Sequence, residues 1–240
     1  MLLWIAVAAC TTDVGEDKVE AQIIEEPAEV AEPADGAEAQ AEVKPSTTFE
    51  VPALTGQALP IAADKSTLDA LGAKITAKHP IKFHKFDGAI AMNGEEVSGV
   101  AFVADIATLE SDDEKLTAHL KDADFLDAAT WPVATFASTD IKAGGEGGTH
   151  TVTGDLMIHG KIIKVSFPAT LEVKAEEVSA KTEFVINRQD FGVTYPGKPD
   201  DLVQDNVVLT VSFVAPRTAA AAPAEGAAAE EAAAEGGEGH

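Results

Sequence analysis

The chain has 240 residues and carries 41 Asp or Glu against 17 Lys or Arg, a net charge of −24; this length allows one domain with tails or two small domains. An acidic surface of this kind repels phosphate backbones, which argues against a nucleic-acid partner. The sequence has no run of about 18 apolar residues, which excludes a membrane-spanning helix, and its one cysteine, Cys10, excludes an internal disulfide framework or a cysteine-rich metal site.

Residues 1–9, MLLWIAVAA, are apolar, end in small residues and read as a signal peptide, although no positive n-region precedes the apolar stretch. A start codon placed too late would explain the missing n-region. Val7-Ala8-Ala9-Cys10 is similar to a bacterial lipobox, so the expectation is cleavage before Cys10 and acylation of its thiol and new amino terminus. The alternative is a chance cysteine in an apolar leader. Stable anchoring takes more than one acyl chain, which a multiply acylated cysteine supplies. Thr11 in place of an aspartate favours the outer membrane by the same resemblance. Residues 10–45 carry 11 acids, 2 bases and three prolines, Pro27, Pro33 and Pro45, and are expected to form an extended acidic linker.

Beyond residue 45 the pattern changes. All ten phenylalanines lie between Phe49 and Phe213, so the core belongs there. Val100, Phe102, Ala104 and Ile106 alternate with their neighbours, as do Val152, Gly154, Leu156 and Ile158. The same alternation runs through Ile163, Val165 and Phe167, then Phe184 and Ile186, then Val207, Leu209, Val211 and Phe213. Period two over short segments predicts strands with one buried face. Asn93-Gly94, Gly144-Gly145, Gly147-Gly148, His159-Gly160 and Pro196-Gly197 supply the turns. One stretch departs from this pattern. Ser111, with Asp112, Asp113 and Glu114 behind it, predicts a helix cap and capping box. Leu116, His119 and Leu120 follow at helical spacing, with a further turn through Asp124-Phe125-Leu126. Residues 218–240 are Ala, Glu and Gly apart from Thr218, Pro223 and His240, with nothing large to bury, and are expected to form a disordered tail.

Roughly eight antiparallel strands with short connections avoid open edges by closing, and eight strands enclose room for side chains or one small ligand. The predicted fold is therefore all-β: a small antiparallel barrel of roughly eight strands with a short helical insert. A β-sandwich is the alternative.

Several local patterns fall in a specific order. They are Gly72-Ala73-Lys74-Ile75-Thr76 with His79, Phe86-Asp87-Gly88, and Leu116-x-x-His119-Leu120-x-x-Ala123-Asp124-Phe125-Leu126-Asp127. Trp131-Pro132-x-Ala134-Thr135-Phe136, Thr153-Gly154-Asp155-Leu156-x-Ile158-His159-Gly160 and Asn187-Arg188-x-Asp190-Phe191-Gly192 follow, and Asp205-x-Val207-x-Leu209 comes last. Together they resemble the YceI-like family of bacterial polyisoprenoid-binding proteins over about residues 58–215. The resemblance implies an eight-stranded antiparallel, lipocalin-like barrel over residues 58–217, with a short helical insert and an elongated apolar cavity holding an isoprenoid chain, in a periplasmic or exported protein. Two departures are visible: Leu126 stands where a second Phe often follows Asp-Phe, and Lys161-Ile162-Ile163-Lys164-Val165 replaces the usual segment after His-Gly.

A dry slot for such a chain needs apolar and aromatic lining with few polar groups. The candidate ligand-binding residues are Phe83, Phe86, Phe102, Phe136, Leu156, Ile158, Phe167, Phe184, Ile186, Leu209, Val211 and Phe213 on strands, with Leu116, Leu120 and Phe125 from the helical region. For each, filling the barrel core is the competing role. Arg188 is a candidate for a phosphate or quinone oxygen; its competing role is an ion pair with Asp190, Asp124 or Asp205. The histidines lack His-x-His or His-x-x-x-His spacing, so no metal or other cofactor is expected. Ser138, Asp140 and His159 form a triad only on paper, since no Gly-x-Ser-x-Gly occurs. The expected function is a non-catalytic carrier or sequestering lipoprotein for a quinone or prenyl-phosphate type lipid. The competing function is a structural or interaction lipoprotein with a filled barrel.

Overall fold

The computed structural model describes residues 14, 15, 17–24 and 46–217. Cys10, the leader over 1–9 and the tail over 218–240 lie outside the described residues. Strands β1 (Gln22–Ile23), β2 (Gln57–Pro60), β3 (Thr67–Lys74), β4 (Ala77–Phe83), β5 (Phe86–Asn93), β6 (Glu96–Asp105) and β7 (Leu109–Ser111) precede helix α1 (Glu114–Leu120). After it come β8 (Val133–Ala143), β9 (His150–Ile158), β10 (Lys161–Val173), β11 (Glu177–Asn187), the short pair β12 (Gly197–Lys198) and β13 (Asp201–Leu202), and β14 (Asn206–Pro216).

The main sheet runs β2-β5-β6-β8-β9-β10-β11-β14-β3-β4-β7 with antiparallel pairing throughout, and β1 joins β10. Both ends of this path are tied back, which curls the sheet into a barrel. After β2, Ile61 N–H donates to Gly88 O at 3.0 Å and Ala62 N–H to Val214 O at 2.7 Å, linking β5 to β14. At the other end β7, a single 3-10 turn beyond β6, pairs with β4 through Ile81, Lys82 and Phe83. The barrel has nine strands of seven or more residues rather than eight. The His159-Gly160 turn is a two-residue hairpin with φ of 51° and 72°, the left-handed pair that matches strand twist. A Cβ on Gly160 would lie 2.5 Å from the Trp131 ring, so glycine is required twice over at this position.

Two local expectations change. The helix cap is Asp113, whose carboxylate accepts from Leu116 N–H at 2.9 Å, not Ser111. Ser111 is the last residue of β7 and pairs with Ile81, so the chain leaves the sheet before it can turn helical. Within the stretch expected to be an extended linker, residues 14, 15 and 17–24 instead lie on the barrel, while 25–45 lie outside the described residues. Pairing of β10 with β11 stops at Thr170, and Pro168 just before it has no N–H to offer. Its carbonyl accepts from the Thr182 hydroxyl at 2.6 Å instead. Beyond that point the two strands part and residues 19–24 enter the seam. Ile24 N–H donates to Lys164 O, Ala21 N–H to Val185 O, and Val185 N–H to Val19 O, all within 2.8–2.9 Å. Val14 packs nearby on Ala73, Val185 and Val208. The acidic composition of the region hides these few apolar anchors.

The barrel interior divides into two clusters. The larger is aromatic: centroid separations are 5.8 Å for Phe86–Phe213 and for Phe102–Phe136, 5.7 Å for Phe102–Phe213 and 5.4 Å for Phe136–Phe167. Phe167 and Phe184 stack face to face at 4.0 Å. The smaller cluster lies under α1 around Ile106, Leu109, Leu120, Phe125 and Val193. Phe83 and Ile158 pack against both. Phe213 is fully buried at the centre of the aromatic cluster. Phe213→Ala is expected to cost about 3–5 kcal/mol in urea denaturation; a loss below about 1 kcal/mol would show that the aromatic cluster does not carry the stability of this half.

Candidate ligand cavity

The space between the two clusters' walls is a cavity of about 400 Å³ at the helix end of the barrel. Adjacent inward-facing positions on four strands define where it stops. On β11, Ile186 lines the cavity and Phe184, two residues away, belongs to the aromatic cluster. The same change occurs from Leu209 to Val211 on β14, from Ala134 to Phe136 on β8, and from Ile158 to Leu156 on β9. The strand period of two places each pair on the same face, about 7 Å apart. The cavity floor therefore follows one layer of side chains, and the layer beneath is solid.

Of the residues singled out in the sequence, Phe83, Leu116, Leu120, Phe125, Ile158, Ile186, Leu209 and Arg188 line the cavity. Phe102, Phe136, Leu156, Phe167, Phe184, Val211 and Phe213 surround only a residual void of about 30 Å³, room for one water at most. Phe86 stacks on Phe213 in the same half. Lining residues not singled out include Ala70, Ile81, Ile106, Ala134, Phe191, Val193, Val203 and Val207. Ile81 was masked by its neighbours: in β4 apolar and polar residues alternate, but Pro80 and two lysines obscure the pattern. Ala134 is too small to stand out beside Phe136. Phe191 sits in a quoted motif and is nearly fully buried, yet no strand periodicity includes it.

The roof is built by α1 and the turn after it. His119, Phe125 and Tyr195 form a triangle of rings with centroids 4.8–5.0 Å apart, and His119 Nε2 lies 2.9 Å from Asp124 Oδ2. Polar lining is concentrated where the β3–β4 hairpin meets the start of α1: Lys74, His79 and Asp113, each at least partly open to water. Lys74 Nζ lies 2.6 Å from Asp201 Oδ2, and this hydrogen bond is the main reason the Asp201 carboxyl stays below its ordinary range; Thr76 adds its hydroxyl and N–H. His79 Nδ1, at 2.9 Å, likewise holds the Asp112 carboxyl low, with help from Ser111. These pairs tie the rim of the cavity to the β12–β13 pair and to the start of α1.

Arg188 points into the wall, and four of its five N–H donors are committed. Nη1 donates to Val193 O at 2.6 Å, Nε to Gln204 O at 2.9 Å, and Nη2 to Val203 O at 3.2 Å and to Asp205 Oδ1 at 2.9 Å. Burial pulls its pKa below the usual guanidinium value, opposed by Asp205; an arginine remains charged regardless. Of its possible acidic partners the one engaged is Asp205, and the guanidinium pins the loop after β11 to the start of β14.

An antiparallel barrel filled at one end and hollow at the other, roofed by a short helix, defines a small β-barrel with a cavity at one end. Residues 61–215 match the YceI-like domain, and the chain belongs to that family. A UPF0312 protein of Pseudomonas putida (strain W619) is 34% identical over 123 residues, spanning 48% of this chain and 64% of the relative. A UPF0312 protein of Pseudomonas fluorescens (strain SBW25) is 33% identical over 137 residues, 53% of this chain and 70% of the relative. The chain thus spans less than two thirds of the first of these relatives. Among solved structures, Burkholderia cenocepacia BcnA superposes with a TM-score of 0.59 at 26% identity, covering 65% of this chain and 99% of BcnA. A polyisoprenoid binding domain from Saccharophagus degradans shares the fold, with a TM-score of 0.53 at 15% identity, covering 67% of this chain and 99% of that domain.

Arg188→Met keeps the side-chain bulk but strands three main-chain carbonyls. A loss of about 3 kcal/mol or more in urea denaturation is expected, with faster hydrogen exchange over residues 193–205. A near-neutral effect would overturn the pinning role.

Proposed function

We propose that the protein is a non-catalytic carrier that holds the apolar tail of one lipid, isoprenoid in character, in the cavity under α1. The observation that carries this reading is the cavity itself: about 400 Å³ walled mostly by aliphatic and aromatic side chains, with Lys74, His79 and Asp113 towards the rim and the buried Arg188 already hydrogen-bonded within the wall. Each methylene moved there from water contributes about 0.8 kcal/mol, so a tail binds without polar contacts inside. The polyisoprenoid binding domain that shares this fold supports the choice of an isoprenoid. In this reading the head group stays at the rim beside Lys74 and His79, which suit a phosphate or quinone oxygen. Arg188, with four of its five N–H donors already committed, serves as a strut of the wall.

The test is placed on one helix. Leu120 is buried against the cavity, and Lys115 is exposed on α1. Leu120→Asp is expected to reduce uptake of a fluorescent prenyl quinone by at least about ten-fold, because a carboxylate must be buried or neutralised; Lys115→Asp is expected to leave it unchanged. Equal effects, or protein that neither co-purifies with lipid nor takes up the quinone, would overturn the carrier reading.

The same proposal places the protein at a membrane surface, exported and tethered through acylated Cys10, with the outer membrane as the expected site. Its support is Val7-Ala8-Ala9-Cys10 and Thr11 in the sequence. Cys10→Ser is expected to move the protein from the membrane to the soluble fraction; continued membrane association would reject the tether.

A further inference from the structure

We infer that this barrel selects for short tails, and that the phenylalanine cluster is the element that sets the limit. The inference rests on the carrier reading and specifies its ligand. An apolar cavity of about 150 Å³ takes one benzene ring. On that scale the 400 Å³ void accepts about sixteen carbons, or about three isoprene units.

The floor stops a longer chain for three physical reasons. First, the layer below the lining is closed by large rings rather than by flexible chains. Phe184 and Phe167 are stacked with an interplanar angle of 3°, and Phe136 and Phe102 continue the contact towards Phe213. Second, these rings are locked by close packing on every side: Phe136, Phe184 and Phe213 are almost completely buried, and the void left among them is only about 30 Å³. Opening a path would require several rings to leave their packed positions together, at the cost of the contacts that fill this half. Third, the backbone forbids retreat. A Cβ on Gly154, opposite the Phe136 ring, would lie 2.6 Å from Phe136 Cζ and 2.4 Å from Ala137 O, so the ring already occupies the space that a glycine leaves. A tail longer than the void must therefore return through the rim into water, where added carbons contribute nothing to binding.

The floor also identifies the residues that tune the limit. Phe184 lies one inward step below Ile186, and Ala134, a small lining residue, lies one inward step from Phe136 on β8. Truncating the first deepens the cavity by one layer, and enlarging the second makes it shallower.

The experiment is a competition series. Prenols of one to eight isoprene units, each in detergent below its micelle concentration, displace a fluorescent fatty acid from the full chain. For the unaltered protein, affinity is expected to rise by more than about ten-fold per unit up to about three units, then change by less than about two-fold for each further unit. Phe184→Leu and Phe184→Ala are expected to extend the rise by about one unit, and Ala134→Leu to shorten it by about one. The plateau of the unaltered protein is decisive even if a variant fails to fold. A rise that continues through six or more units overturns the length limit while leaving the carrier reading intact. So does a plateau that stays in place in folded Phe184 and Ala134 variants. Failure of every prenol to displace the probe overturns the carrier reading, and the length limit with it.

Discussion

The structure depends on a cluster of stacked phenylalanines. A barrel of this size has more interior than its aliphatic residues fill, and five rings from five strands close one half of it. Phe102, Phe136, Phe167, Phe184 and Phe213 come from β6, β8, β10, β11 and β14, so the cluster is also the point at which non-neighbouring strands are held together. Offset and edge-on ring pairs each add about 0.5–1.5 kcal/mol beyond the area they bury. Once that half is solid, the remaining inward residues surround an open space, and the open end needs a roof. The short helix and the turn carrying Phe125 supply it. Fold and cavity are thus two results of one packing decision.

The rim follows from a different kind of force. Its elements are the tip of the β3–β4 hairpin, the start of α1 and the β12–β13 pair. They are joined by charge-assisted hydrogen bonds such as Lys74–Asp201 and His79–Asp112. Exposed pairs of this type are each weak, which suits a part of the molecule that must admit a ligand. The contrast between a rigid aromatic base and a lightly tied opening divides stability from access along the barrel axis.

Much of this was legible in the sequence. Alternation in residues 100–106, 152–158 and 207–213 marked true strands with the correct inward residues, and the ordered motifs pointed to the YceI-like family to which the chain belongs. What was not legible is how the inward residues divide. Phe83 lines a cavity and Phe102 fills a core, although both are phenylalanines at strand positions, because the difference is set by cross-strand register and not by residue type. The partners of Arg188 were hidden for another reason: three of its four acceptors are main-chain carbonyls, which leave no trace in a sequence. Residues 17–24 read as solvated because they lie in a stretch, 10–45, that carries 11 acids and three prolines, yet Lys164 O on β10 and both the N–H and the O of Val185 on β11 hydrogen-bond to them.

That inserted segment has a consequence for how the molecule behaves among its own copies. Where β10 and β11 separate, each would otherwise offer a bare row of amides and carbonyls, the template on which β proteins join edge to edge. By occupying the gap, residues 19–24 cover both margins. Trimming the chain to its family-defining portion would remove this guard and leave two sticky margins, inviting exchange of strands between neighbouring molecules.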